Sequence, residues 1–237
     1  ASPVTIAKGQ PWGRQGPLEA AGPVAATDAE LARVVAAAVL AGDVPEPTGL
    51  IGGDLFSTLG GKPSGRRPTD EDAWRYPLDA LVVRSTTDGV SSEPAVAVAH
   101  VVAFRAPEAG RPSDRLVGAL RGRRHSPKLR RAPWFVDETL IIANAAFVGD
   151  WNIAPRGHPN DGRLEVTQGR LGARDRRQLP GRLAAGTHLP HPGLTTSRPE
   201  ARGAGMGPGR LYVDGVDTGM VDDFGVELIP DAFTAVM

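Results

Sequence analysis

The sequence predicts an α+β fold, in which a short helix-bearing N-terminal part precedes a longer β-sandwich-like part. Three observations carry this. Residues 27–42 repeat apolar side chains at helical spacing, and from Tyr76 onward the apolar residues are largely β-branched and fall in short runs. The 30 Gly and 22 Pro among 237 residues interrupt the chain too often for a long helical bundle. That length suffices for one large domain or two small ones around a real core.

Residues 1–23 are rich in Gly and Pro, with a short apolar piece at Val4 to Ala7 that reads as a strand before an irregular stretch. Thr27-Asp28-Ala29-Glu30 has the spacing of a capping box, in which a hydroxyl and a carboxylate satisfy free N–H groups at a helix start. Leu31, Val34, Val35, Ala38 and Val39 follow at helical spacing, and Gly42 supplies the stop. After Pro45 and Pro47 comes GLIGGDLFSTLGG, residues 49–61. It reads as a short strand, a tight glycine turn and a helical turn beginning near Asp54, which serves as its cap. Residues 62–75 read as a polar linker. Strands are expected in YPLDALVVR, AVAVAHVVAFR, ETLIIANAAF, RLEVTQ, GRLYVDG and FGVELIP. Ser113 to Leu120 reads as a short helix, and RGRRHSPKLRRAP, residues 121–133, as a solvated basic loop.

Composition excludes several kinds of chemistry. The chain has no cysteine, which removes disulfides, thiolate nucleophiles and Cys-based metal centres. Its 27 basic and 27 acidic residues cancel, so no whole-molecule field draws in nucleic acid or anionic lipid. No aromatic residues interleave with the basic run to stack bases, and nucleic acid is not expected as a partner. No apolar window reaches the roughly 18 residues of a membrane span, and the opening ASPVTIAKGQPWG lacks the order of a signal peptide, so a cytoplasmic protein is expected. There is no GxSxG elbow and no HExxH pair. His158, His188 and His191 lie beside prolines or one residue from them and read as loop-packing residues, and His100 as a buried, hydrogen-bonded side chain of a strand.

Oxygen chemistry remains. LIIANAAFVGDWNIAPRGHPNDGRLEV, residues 140–166, runs from a buried strand through a Gly-Asp turn to an Asn-Asp-Gly turn. There Asp161 with nearby carbonyls suits a hard cation such as Mg²⁺, and equally suits a plain turn. Asp214-Gly215 marks a hairpin with Asp217, Asp222 and Asp223 close by. Gly52 and Gly53, beside the helical turn at Asp54, have the form of a minimal anion nest.

In this order the segments resemble the superfamily of bacterial diacylglycerol kinases and sphingosine kinases. GGDLFSTLGG resembles the end of that family's GTGNDFARxLG segment. Residues 140–166 resemble its strand, Gly-rich turn, Ala-Pro and DDGLLDV passage, with Asp161 and Gly162 at the Asp-Gly. His191-Pro192 resembles a later His-Pro, Asp214-Gly215 resembles its VDGE motif, and VELIPDAF its closing strand. The resemblance spans residue 49 to the C-terminus. It implies a nucleotide-binding α/β domain and a β-sandwich, with ATP phosphorylating a lipid hydroxyl between them. Carried over, Asp214 is the base, Asp161 a structural Mg²⁺ ligand, and Gly52, Gly53 and Asp54 the nucleotide side.

The chain departs from that pattern where it matters most. Nothing in residues 1–48 matches the family's GGDGT phosphate loop, and those residues are too few for a complete nucleotide domain. Val216 stands where VDGE has its Glu. The expected division is therefore 1–61, a shortened α/β nucleotide-domain remnant, and 62–237, a β-sandwich lipid-kinase-like domain. The expected protein is a degenerate homologue that binds a lipid or other small ligand. The alternatives are an active ATP- and Mg²⁺-dependent lipid kinase, or a half-enzyme completed by a partner chain or a second copy.

Overall fold

A computed structural model describes residues 12–62, 65, 67–105, 134–203 and 206–237. The expected strand at residues 4–7, helix at 113–120 and basic loop at 121–133 lie outside these.

The chain begins with two short strands, β1 (Arg14–Gln15) and β2 (Val24–Ala25), and then enters helix α1 (Asp28–Ala41). The capping box forms: the Glu30 amide donates to Thr27 Oγ1 at 3.2 Å, and Glu30 Oε2 accepts from the Ala26 amide at 2.8 Å. At the other end Gly42 takes φ +79°, and its N–H and that of Asp43 close onto Val39 and Ala38 carbonyls. Strand β3 (Thr48–Leu50) follows and leads to the one-and-a-half-turn helix α2 (Asp54–Thr58).

From there strands dominate. The long β4 (Trp74–Thr87) is followed by β5 (Val90–Ser91), β6 (Ala95–Ala97), β7 (His100–Arg105) and β8 (Thr139–Ala143). A small hairpin of β9 (Phe147–Val148) and β10 (Trp151–Asn152) precedes β11 (Glu165–Gly169). A further helix, α3 (Ala173–Ala184), carries Pro180 and Gly181 in its interior and buries only Leu179 and Leu183. Such a sparse apolar pattern is why the sequence gives no helical signal there. The last strands are β12 (Leu194–Ser197), β13 (Ala201–Gly203), β14 (Gly209–Val213), β15 (Val216–Val221) and the long β16 (Asp223–Val236).

Two sheets lie face to face. The first runs β1-β4-β16-β3-β2, with β5 and β6 also on β4 and β13 on β16; its β16-β3 and β3-β2 pairs are parallel. The second is antiparallel, in the order β12-β11-β8-β7-β14-β15. Alternation along each strand sends successive side chains to opposite faces. Leu81 and Val83 of β4 meet Val101, Ala103, Leu140 and Ile142 between the sheets. Leu78, Ala80 and Val82 of the same strand pack outward against Leu31, Val35, Leu55 and Phe56 of α1 and α2. Val102, Phe104 and Ile141 pack on the far side with Leu179 and Leu183 of α3. The layers are thus α, β, β, α, an α+β fold around a β-sandwich as the sequence predicts.

AVAVAHVVAFR, expected as one strand, is two. β6 pairs with β4 in the first sheet and β7 with β8 and β14 in the second, so the chain crosses between sheets at Val98 and Ala99. No helix among the described residues is long and apolar enough to cross a membrane.

Candidate functional site

The parallel strands β2 and β3 end where α1 and α2 begin. In open α/β sheets, ligands sit outside such carboxyl ends. Four ionisable side chains from four segments gather there: Asp28 at the start of α1, Asp54 at the start of α2, His100 at the start of β7, and Asp214 in the β14–β15 turn.

Asp28 is buried, and its carboxylate accepts from the Asp54 amide at 2.7 Å and the Leu55 amide at 3.0 Å. It is Asp28, rather than Asp54, that caps α2. Burial pushes its carboxyl above the usual range despite these two donors. Asp54 instead reaches across to the β9–β10 turn, where Oδ1 accepts from the Gly149 amide at 2.7 Å. Its own carboxyl is also raised by burial. One helical turn on, Thr58 Oγ1 donates to the Asp54 carbonyl at 2.8 Å and accepts from the Ala146 amide at 3.0 Å.

Asp214 and Gly215 both have positive φ, +46° and +75°, as a two-residue hairpin turn of mirror-image type requires. The Asp214 carboxylate takes three N–H groups: Val98 at 2.8 Å, Ala99 at 2.9 Å and His100 at 2.9 Å. These are the amides at the crossover between sheets. Its carbonyls are served by Asn144, whose Nδ2 donates to Val98 O and whose amide donates to Ala99 O. Asp214 and Asn144 together give the chain hydrogen bonds where neither sheet can, which is why the apolar run splits there. Burial, with the negative charge of Asp28 added, pushes Asp214 up to about 7. His100 is 2% exposed, and burial drives it down to about 4 against the opposing pull of Asp28, so it is neutral at physiological pH. Its Nδ1 stands 3.9 Å from Asp54 Oδ2, beyond hydrogen-bond reach.

This arrangement does not fit a polyphosphate. The N–H groups that begin α2 are taken by an internal carboxylate. A Cβ on Gly52 would stand 2.5 Å from the Ala26 carbonyl, and one on Gly53 2.6 Å from Asp28 Oδ1, so both glycines make room for the protein itself.

Asp161 belongs to a different cluster. Its Oδ2 accepts from Arg198, whose Nε lies 3.1 Å from Glu165 Oε2, and its Oδ1 accepts from the Arg163 amide at 3.1 Å. A guanidinium thus sits where a cation would. Among the described residues no group of three or more His, Asp or Glu side chains is disposed to hold a metal ion. Beside it Asp79, 1% exposed, accepts from the Gly162 amide at 2.9 Å and the Asp231 amide at 3.0 Å, and burial raises it to about 6.

The histidines do local work. His188 contacts the Ile153 carbonyl through Nε2 at 3.2 Å, His191 Nδ1 accepts from the Gly193 amide at 3.0 Å, and His158 packs edge-on against Trp12. Asp54 and Asp214 stand out in the sequence as site residues, whereas Asp28, Asp79, Asn144 and His100 do not. The signal for Asp28, an acid between a short strand and a helix, was absorbed by the capping box.

The architecture is similar to that of solved bacterial proteins described as diacylglycerol kinases. A putative diacylglycerol kinase from Bacillus anthracis str. Sterne superposes with a TM-score of 0.54 at 10% identity, over 90% of this chain and 76% of that one. A diacylglycerol kinase from the same source gives 0.50 at 13% identity, over 81% and 69%. No protein-family model and no curated protein matches the sequence. At such identities the likeness is one of fold.

Proposed function

We propose that this chain is a lipid-kinase-like protein that does not transfer phosphoryl groups and that keeps the fold as a binding module for a lipid or other small ligand. Within it, residues 1–61 form the shortened nucleotide-domain remnant and residues 62–237 the sandwich domain, in a cytoplasmic protein. One observation carries this reading: the Asp28 carboxylate occupies the amides of Asp54 and Leu55, the place where a phosphate would be held. Catalysis of phosphoryl transfer is almost entirely positioning and charge neutralisation. Here the ionisable side chains gathered among the described residues at the carboxyl ends of β2 and β3 are three carboxylates and a neutral imidazole. Arg198 adds to the argument, since its guanidinium already bridges the carboxylates of Asp161 and Glu165.

The test is equilibrium binding of ATP with Mg²⁺, carried to millimolar nucleotide on the wild type and on Asp54→Ala. No saturable binding to either is expected. Binding that weakens in Asp54→Ala overturns the reading.

A second reading, an active kinase, draws on Asp214, which is held near 7 where a general base works best at neutral pH. It requires ATP-dependent phosphorylation of a lipid hydroxyl that is lost in Asp214→Asn while the circular dichroism spectrum is kept.

A further inference from the structure

We propose that Arg198 is a built-in replacement for a divalent cation: its guanidinium fills the oxygen cage that the Asn160-Asp161-Gly162 turn shares with β11, and the fold needs no metal ion there. By sequence, Asp161 with nearby carbonyls suits a hard cation such as Mg²⁺. The structure supplies the rest of such a donor set. Two carboxylates and a carbonyl, Asp161 Oδ2, Glu165 Oε2 and Arg156 O, converge on one point, and that point is the guanidinium. Its Nη2 donates to Asp161 Oδ2 and to Arg156 O at 3.3 Å, and its Nε lies 3.1 Å from Glu165 Oε2. The oxygens belong to the connection before β11 and to the first residue of β11, whereas Arg198 directly follows β12, so one side chain ties two segments. The backbone keeps those segments together, because the Leu164 amide donates to the Pro199 carbonyl at 2.8 Å.

The cage is not an ordinary surface ion pair. Glu165 is 3% exposed, and its Oε2 is closed off from solvent with no hydrogen bond aligned on it, so the charge of Arg198 is what compensates it. Burial raises the Glu165 carboxyl, and Arg198 first and Arg156 next pull against that. An exposed pair contributes little, but a carboxylate in this position without its cation is costly. On the other carboxylate, Asp161 Oδ1 accepts from the Arg163 amide at 3.1 Å, which leaves Oδ2 for Arg198. A guanidinium suits the place on two counts. Its planar fork serves several oxygens at once, and it stays charged at every relevant pH. A divalent cation added beside it would meet the charge of Arg198 and, on the Glu165 side, that of Arg156.

The experiment is thermal unfolding of the whole chain, wild type and Arg198→Ala, in EDTA and in about 10 mM Mg²⁺ or Ca²⁺ at matched ionic strength. The wild type should melt at the same temperature in all three. Arg198→Ala should melt at least about 5 °C lower in EDTA, because two carboxylates lose their counter-charge. Either cation should recover about half of that loss, saturably, as a weak oxygen site does. The double variant Asp161→Asn/Arg198→Ala should recover none of it. A wild type stabilised saturably by Mg²⁺ or Ca²⁺ overturns the proposal, since the cage then takes a metal with Arg198 in place. So does an Arg198→Ala chain as stable as the wild type. If that variant is unfolded in EDTA, either cation should fold it. A variant that neither cation stabilises shows Arg198 to be a plain ion-pair partner and overturns the replacement. Recovery that persists in the double variant overturns it too, by placing the cation elsewhere. No nucleotide is present, so the outcome is independent of the ATP titration.

Discussion

Asp79 and Asp214 each hold a carboxylate inside the protein on backbone N–H groups, and in both burial outweighs those donors. Their protons are bound more tightly in the folded chain than in the unfolded one. The stability that each contributes is therefore fully present below the ordinary carboxylate value of 3.8, and is lost as pH rises through about 6 for Asp79 and about 7 for Asp214. His100, lowered to about 4, acts in the opposite sense: its contribution is present above the ordinary imidazole value of 6.5 and is lost as pH falls toward 4. These trends cancel in part over the acidic range, so the wild-type profile alone does not separate them. The comparison of wild type with Asp79→Asn does. The stability of the wild type relative to that variant should be greater at about pH 5 than at about pH 7, by about 1 kcal/mol in urea unfolding. A difference independent of pH would mean that Asp79 titrates normally. Only part of this was legible in the sequence. Asp54 and Asp214 stood out because each adjoins a glycine in a turn. Asp79 lies inside an apolar strand and Asp28 inside a capping box, and what singles them out is the distant amides they accept from, Asp231 and Gly162 for one and Leu55 and Asp54 for the other.

At the scale of elements, α2 is the test of what the glycine turn is for. By sequence alone Gly52 and Gly53 suit an anion nest or merely a strand-to-helix connection. Gly53 has φ +99°, unfavourable for any residue with a Cβ, and an added Cβ would press on the carboxylate that caps the helix. Gly53→Ala should therefore destabilise the protein without any ligand present, by about 2 kcal/mol from backbone strain and a damaged cap together. Thermal unfolding of the ligand-free variant checks this, and an unchanged melting temperature would return the glycine to a ligand role. Other elements were legible to different degrees for equally physical reasons. α1 was readable end to end because its signals are local: capping box, apolar repeat, glycine stop. The break between β6 and β7 was not, because its cause, the Asp214 carboxylate, lies more than a hundred residues further along the chain. α3 was unreadable for want of an apolar repeat.

For the whole molecule, β4 and β16 decide how it holds together. Each is 14 residues long, they pair with each other along most of their length, and their side chains feed both the core under α1 and α2 and the core between the sheets. Between Ile229 and Phe233 the register of β16 shifts, with Asp231 at positive φ bonded to Asp79. On one side of that shift Phe224, Val226 and Leu228 face the sandwich, and on the other Phe233 and Ala235 face the helices. The end of β16 is also the strand on which β3, and through it β2, is laid. Strands on both sides of the proposed division at residue 61 are therefore joined in one sheet. Phe233→Ala, which empties a fully buried position of the helix-side core, should cost about 4 kcal/mol. Both cores should still be lost in one transition. Far-ultraviolet circular dichroism reports the sheets, and tryptophan fluorescence in a Trp12→Phe/Trp74→Phe background reports Trp134 and Trp151 on the α3 side. The two should give the same urea midpoint in wild type and variant alike. Midpoints that separate in Phe233→Ala, with the α3-side signal persisting to higher urea, would show that the shared strands fail to couple the layers and that residues 1–61 can unfold by themselves.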